Sequence, residues 1–327
     1  MNKIFTLIAS LLVAGSTAGV AHAAPEEVNY LLPVPATSLA MAPWMLAQYK
    51  GYYAQENLKV TFVAAKGGVD VAKQIGAGNA LIGGSIGDTP IILRANGVPI
   101  KAIALLGAGT LTLTAVHQDS GIQNMKGLRG KTLTVMSYAD GTYYSLLGGL
   151  KKAGLTKDDL SIQAAGPAGV WQLFAAGKSQ AMTGGADFIN YAIDAGAKIN
   201  ILPPEEGFRS MAQAILASDD AIRTHPELLR KLVRATLRGM NDIMTNPKEA
   251  ASAFALAVPS YTGKEASIEN FFGMLQKYTY AGQSPLGRID AKRMEEVQNL
   301  YVSEGIVARK LPLDELFTNQ FVDAPAK

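Results

Sequence analysis

The stretch Asn79-Ala80-Leu81-Ile82-Gly83-Gly84-Ser85-Ile86-Gly87-Asp88-Thr89-Pro90 passes from a short apolar run of strand type, 80–83, through a glycine-rich loop into helix-start signals. Asp88 or Thr89 can cap a helix over 89–95, and Pro90 suits its first turn, where a missing N–H leaves nothing unpaired. The apolar run 100–106 follows as the next strand. Strand, loop, helix and strand in this order form the unit of an open, mostly parallel sheet with helices against its faces.

The same alternation extends in both directions. Upstream, strands are expected at 28–32 and 59–64, with helices at 43–50, closed by Gly51, and at 68–75. Downstream a second series repeats the plan, with strands at 132–136, 160–164, 181–184 and 199–202 and helices at 141–153, 170–176 and 186–195. Gly166-Pro167-Ala168-Gly169 reads as a plain turn and makes no phosphate loop. Two extended runs, 111–116 and 211–217, lie between and after the series and read as crossings of a hinge. From 219 onward the pattern is helical, over 226–245, 248–258, 264–278 and 290–303, with apolar residues at helical spacing that should pack on the first lobe. The expectation is an α/β chain of two lobes, each a mostly parallel sheet flanked by helices, joined by a two-strand hinge. Lobe 1 takes 24–113 plus 218–327, and lobe 2 takes 114–217.

Met1-Asn2-Lys3, the apolar run 4–20 and Ala21-His22-Ala23 have the order of a secretory signal peptide, so residues 1–23 should be removed and the mature chain should start near Ala24. No later run reaches the roughly 18 apolar residues of a membrane span. The chain has no cysteine, which removes disulfides, thiolate metal sites, a cysteine nucleophile and a lipid anchor on cysteine. A free periplasmic protein is expected. The net charge of +3 comes from scattered basic residues, so no field for nucleic acid is built.

In open α/β sheets, ligands settle beyond the carboxyl ends of the strands, where loops enter helices. That rule gathers Thr37 and Ser38 before the first helix, Ser85, Asp88 and Thr89 before the third, Ser137, Asp140, Gly141, Thr142 and Tyr143 in the second lobe, and Asp187 with Phe188. Asp88, Asp140 and Asp187 each precede or open a helix. As caps they serve the backbone; facing the cleft they would accept hydrogen bonds from ligand N–H groups, and a bound sulfonate would be repelled. Trp44, Tyr143, Tyr144, Phe188 and Tyr191 lie in or beside the same loops and could sandwich a flat ring.

Gly83-Gly84-Ser85-Ile86-Gly87 also fits G-x-S-x-G, with Asp187 and His225 following in the order of an α/β-hydrolase triad. A nucleophile elbow starts its helix at the serine, whereas the start signals here come at Asp88 to Pro90. A secreted serine hydrolase with Ser85 as nucleophile therefore stands as the alternative. His22 leaves with the signal peptide, and His117 and His225 lack ligand-spaced neighbours, so no metal and no cofactor are expected.

Four stretches in register resemble the periplasmic binding proteins of the nitrate, sulfonate, taurine and thiamine-pyrimidine-precursor family. They are Ala42-Pro43-Trp44-Met45-Leu46-Ala47-Gln48-Tyr49-Lys50-Gly51-Tyr52-Tyr53, the Asn79 to Pro90 stretch, Leu128-Arg129-Gly130-Lys131-Thr132-Leu133-Thr134-Val135, and Leu173-Phe174-Ala175-Ala176-Gly177-Lys178-Ser179-Gln180-Ala181. The resemblance implies the type II periplasmic-binding-protein fold and a monomer. It implies a binding rather than enzymatic role: capture of a small organic solute by hinge closure for an ABC permease with its ATPase, or ligand sensing on the same fold. A pyrimidine-forming enzyme shares the fold family, but its cysteine-rich metal motif is absent. The chain departs from the family's pattern at Gly185-Ala186-Asp187-Phe188 and at Ser137-Tyr138-Ala139-Asp140-Gly141-Thr142-Tyr143.

Overall fold

The computed structural model describes residues 24–323, so the segment read as a signal peptide lies outside the described residues. Strand β1 (Glu26–Leu32) leads through α1 (Ala42–Tyr49) and α2 (Tyr52–Gln55) to β2 (Leu58–Ala64), α3 (Gly68–Gly76), β3 (Ile82–Ile86), α4 (Thr89–Arg94) and β4 (Ile100–Leu105). The chain then crosses to β5 (Leu113–His117) and builds β6 (Thr132–Val135), α5 (Gly141–Lys152), β7 (Ser161–Ala164), α6 (Gly166–Ala175), β8 (Ala181–Gly184), α7 (Ala186–Asp194) and β9 (Ile199–Ile201). It returns as β10 (Gln213–Ser218) and ends in helices α8 (Asp219–Thr224), α9 (Pro226–Thr245), α10 (Pro247–Ala257), α11 (Glu265–Met274), α12 (Ala291–Ser303) and α13 (Leu313–Leu316).

The strands form two five-stranded sheets of the same plan, ordered β2-β1-β3-β10-β4 and β7-β6-β8-β5-β9. In the first, β1 pairs parallel with β2 and β3, while β10 runs antiparallel between β3 and β4. In the second, β6 pairs parallel with β7 and β8, while β5 runs antiparallel between β8 and β9. Each sheet is therefore mixed, with four strands in one direction and the crossing strand reversed among them. Every residue of β10 is buried, as a strand covered on both faces must be.

One face of the first sheet is covered by α1, α9 and α10. Helix α9 buries Leu228, Leu229, Leu232, Val233, Thr236, Gly239, Met240 and Ile243, an apolar stripe at helical spacing. A Cβ at Gly239 would fall 2.0 Å from the Pro43 carbonyl oxygen, so glycine is what lets α9 cross α1 so closely. The other face is covered by α3, α4, α12 and α13, through Val71, Ile75, Leu93, Met294, Val297 and Leu316. The late helices α9, α10, α12 and α13 thus pack on the first sheet and the helices beside it.

Several sequence expectations shift. Strand β3 runs two residues later at its start and three at its end than 80–83, because β10 pairs with it as far as Ile86. Gly166-Pro167-Ala168-Gly169 is the first turn of α6 rather than a plain turn, with Pro167 at a position where no N–H is needed. The helix expected over 264–278 is α11 to Met274, continued by a π-helical turn, Leu275–Tyr280. That turn carries the first crossing: Gly109 N donates to Thr279 O at 2.7 Å and Thr110 N to Tyr278 O at 3.0 Å.

Candidate functional site

The carboxyl ends of β3, β6 and β8 face one another across the seam between the lobes. Asp140 is the N-cap of α5, its Oδ1 accepting from Thr142 N at 2.8 Å and from the Thr142 hydroxyl. This fixes the start of α5 against lobe 1: a Cβ at Gly141 would stand 3.2 Å from Asp88 Oδ2 and 3.4 Å from Ile86 Cδ1. Asp88 belongs to the other lobe and makes no capping hydrogen bond with its side chain. It accepts instead from the Tyr301 hydroxyl of α12.

The three acids form one electrostatic group. Burial pushes Asp88 up to about 6, the Tyr301 hydrogen bond opposes this, and the Asp140 charge adds to it. Asp187, in the first turn of α7, is also pushed up to about 6, by loss of solvent and by Asp140, against backbone hydrogen bonds. Asp140 is raised by burial against the two Thr142 hydrogen bonds. Carboxylates gathered in this way resist joint ionisation until a donor or cation pairs with them.

Aromatic rings line the same seam. Tyr144 of α5 meets Tyr301 of α12 edge to face, with centroids 5.5 Å apart, and its hydroxyl proton is held more tightly by burial first and then by the Asp140 and Asp88 charges. On the α7 side, Tyr191 stands 3.5 Å from Tyr261, oxygen to oxygen, with its hydroxyl near Ser38 of the other lobe. Phe188 lies over Gly184 at the end of β8, where an added Cβ would meet its ring at 2.8 Å.

The other sequence-selected residues divide. Ser85 is buried at the end of β3, and its hydroxyl shares a 2.8 Å hydrogen bond with Thr89. Ser137 is half-buried and accepts from Ala139 N at 3.1 Å; Thr37 is exposed. Trp44 is not brought to the seam: it is fully buried in the lobe 1 core, edge to face with Tyr30 at 6.3 Å. Tyr143 turns into the lobe 2 core, packed on Tyr138 at 5.3 Å, and leaves the seam to its neighbour Tyr144. Tyr261 and Tyr301 escape the sequence reading because they sit on late helical segments with no loop signal.

The serine-hydrolase alternative finds no relay. His225 sits exposed at the junction of α8 and α9, bonded to Thr224 at 2.7 Å, while Ser85 is bonded to Thr89. Nucleophile and base must lie within hydrogen-bond reach, and these two have separate partners. Among the described residues, no group of three or more His, Asp or Glu side chains is placed to hold a metal ion.

The chain is similar to several known proteins. A riboflavin-binding protein, RibY, of Chloroflexus aurantiacus is 25% identical over 301 residues, covering 87% of this chain and 83% of that protein. A 4-amino-5-hydroxymethyl-2-methylpyrimidine phosphate synthase of Uromyces fabae is 31% identical over 109 residues, a third of either chain. The periplasmic aliphatic sulphonate binding protein SsuA of Escherichia coli superposes with a TM-score of 0.72 at 15% identity, over 89% of this chain and 97% of that one, and so shares the two-lobed binding-protein fold. The model of the family described as NMT1/THI5 like matches residues 39–250, and the chain belongs to that family.

Proposed function

We propose that the protein is the periplasmic binding component of an ABC importer, and that it captures a flat nitrogen heterocycle with N–H or cationic donors by closing its lobes, 24–113 plus 218–327 and 114–217, about the two crossings. The observation that carries this reading is the meeting of Asp88 from one lobe with Asp140 and Asp187 from the other, beside the rings of Tyr144, Tyr301, Tyr191 and Phe188. Carboxylates accept strong charge-assisted hydrogen bonds from N–H groups, and aromatic faces hold a planar ring. A sulfonate would add a negative charge to three acids. A ligand that neutralises charge drawn from both lobes favours the closed form over the open one. The riboflavin named for the Chloroflexus relative and the pyrimidine named for the Uromyces relative are both nitrogen heterocycles, which supports the same class. No chemical step is assigned to the protein, and delivery to a permease and its ATPase completes the role.

Titration calorimetry of the mature protein against riboflavin, an aminopyrimidine, taurine and an alkanesulfonate tests the proposal. Saturable binding of a heterocycle, weakened at least tenfold in Asp140→Asn, is expected. Binding of the sulfonate alone, undiminished in that variant, would overturn the ligand class.

A further inference from the structure

Behind the hinge lies a cavity of about 460 Å³, bounded by Ala108 of the first crossing, Arg209 of the return and Arg288, Asp290 and Arg293 at the start of α12. Arg293 is 2% exposed, and its terminal nitrogens donate to Ala108 O at 2.6 Å and Gly109 O at 2.5 Å. Its Nε–H is buried and has no partner. Arg209 donates to the same Ala108 oxygen at 2.8 Å, so two guanidiniums from opposite sides of the hinge converge on one carbonyl.

Neither Arg209 nor Arg293 makes an ion pair among the described residues, whereas Arg288 is bound to Asp323. Burial, and then the charge of Arg209, lower the Arg293 guanidinium to about 10, with Asp290, Asp88 and Glu296 acting in the other direction. The Asp290 carboxylate caps α12 through Lys292 N at 2.9 Å. Arg288 is taken by Asp323, while Asp290, Asp88 and Glu296 act on Arg293 only through their charge and make no ion pair with it, so Arg209 and Arg293 bring two guanidiniums without a bound carboxylate to the start of a thirteen-residue helix. Gln283 and Asn319, which also line the cavity, spend their amides on neighbouring backbone, as Gln283 Nε2 does on Leu105 O at 2.8 Å and Asn319 Nδ2 on Ile289 O at 3.0 Å. The side-chain donors left over are those of the guanidiniums and the Ser284 hydroxyl. A buried charge without a partner is costly, and a small anion relieves that cost.

We propose that this cavity is a second binding site, for a small oxyanion of the phosphate or carboxylate kind, held between Arg209 and Arg293 with Arg288 at its rim. The bound anion ties the returning crossing to α12, and so fixes the hinge in the arrangement described here. It shares no lining residue with the seam at Asp88, Asp140 and Asp187, although the Asp88 charge acts on Arg293, and it does not depend on the ligand class proposed there.

The test is a set of melting curves of the mature protein at constant ionic strength, with chloride replaced stepwise by inorganic phosphate or by acetate. A saturable rise in melting temperature is expected for the wild type, at least fivefold weaker in apparent affinity in Arg209→Gln and in Arg288→Gln, and unchanged in Asp140→Asn. Saturation separates binding from the general stabilisation that excluded salts give. Response to phosphate alone identifies an inorganic site, and response to acetate as well identifies a carboxylate site. A rise that does not saturate, that is the same in both arginine variants, or that disappears in Asp140→Asn overturns the proposal.

Discussion

Asp88 is buried against Tyr301 and its carboxyl is raised from 3.8 to about 6. The folded protein therefore holds a proton that the unfolded chain releases between those values. Stability contributed by the protonated form is present below pH 3.8 and lost as pH rises through about 6, at a cost on the order of 3 kcal/mol at neutral pH. Asp187 titrates over the same window. Melting temperature measured against pH should fall through that interval in the ligand-free protein, and Asp88→Asn should flatten the fall. Affinity for a cationic ligand should move the opposite way and rise with pH, because the carboxylates bind it ionised. Asp140→Asn keeps a capping side chain, so it should cost less than about 1 kcal/mol of stability while lowering heterocycle affinity about tenfold or more, as calorimetry can separate. The acids were legible in the sequence because each stands where a strand gives way to a helix. The rings were only partly so: Tyr143 and Tyr144 both follow Asp140, and which of them faces the seam depends on the rotation of α5, set by packing. Trp44 shares the same kind of position and went into the core.

At the scale of elements, alternation of apolar runs and helix signals located the strands and most helices closely, since both periods are local. What it missed was decided by partners remote in sequence. Strand β3 extends to Ile86 because β10, more than a hundred residues later, pairs with it. The π-helical turn after α11 has no marker of its own in the pattern, yet it carries the first crossing. A Cβ at Gly109 would lie 1.9 Å from Tyr278 O and one at Gly107 2.1 Å from Thr279 O. Gly109→Ala must push the crossing off that turn, and a loss of about 2–4 kcal/mol in urea unfolding is expected, with weaker ligand binding. The same substitution at Gly273, where a Cβ meets nothing within 4 Å, should leave the hinge unaffected.

For the whole molecule, the two-lobed plan was legible because two similar series of elements follow one another, with a crossing after each. The packing of α7 on α11 was not, although Asn190 Nδ2 donates to Ser267 at 2.9 Å and Asn270 Nδ2 donates to Asn190 Oδ1 at 2.8 Å. These contacts join α7, beside the second sheet, to α11, among the late helices. Closure on a ligand should lower the radius of gyration in solution scattering, and a value unchanged by saturating ligand would count against hinge motion. The placing of β10 between β3 and β4 has a further consequence, for the order in which the chain can be made. The second sheet uses only β5 to β9, a continuous run, whereas the first lacks its fourth strand until residue 218 has emerged. During synthesis, the second sheet can be finished while β3 and β4 still wait as open edges. Pulse-labelled hydrogen exchange during refolding should then find amides of β6 and β8 protected before those of β3 and β4, so that the lobe begun first is the one completed last.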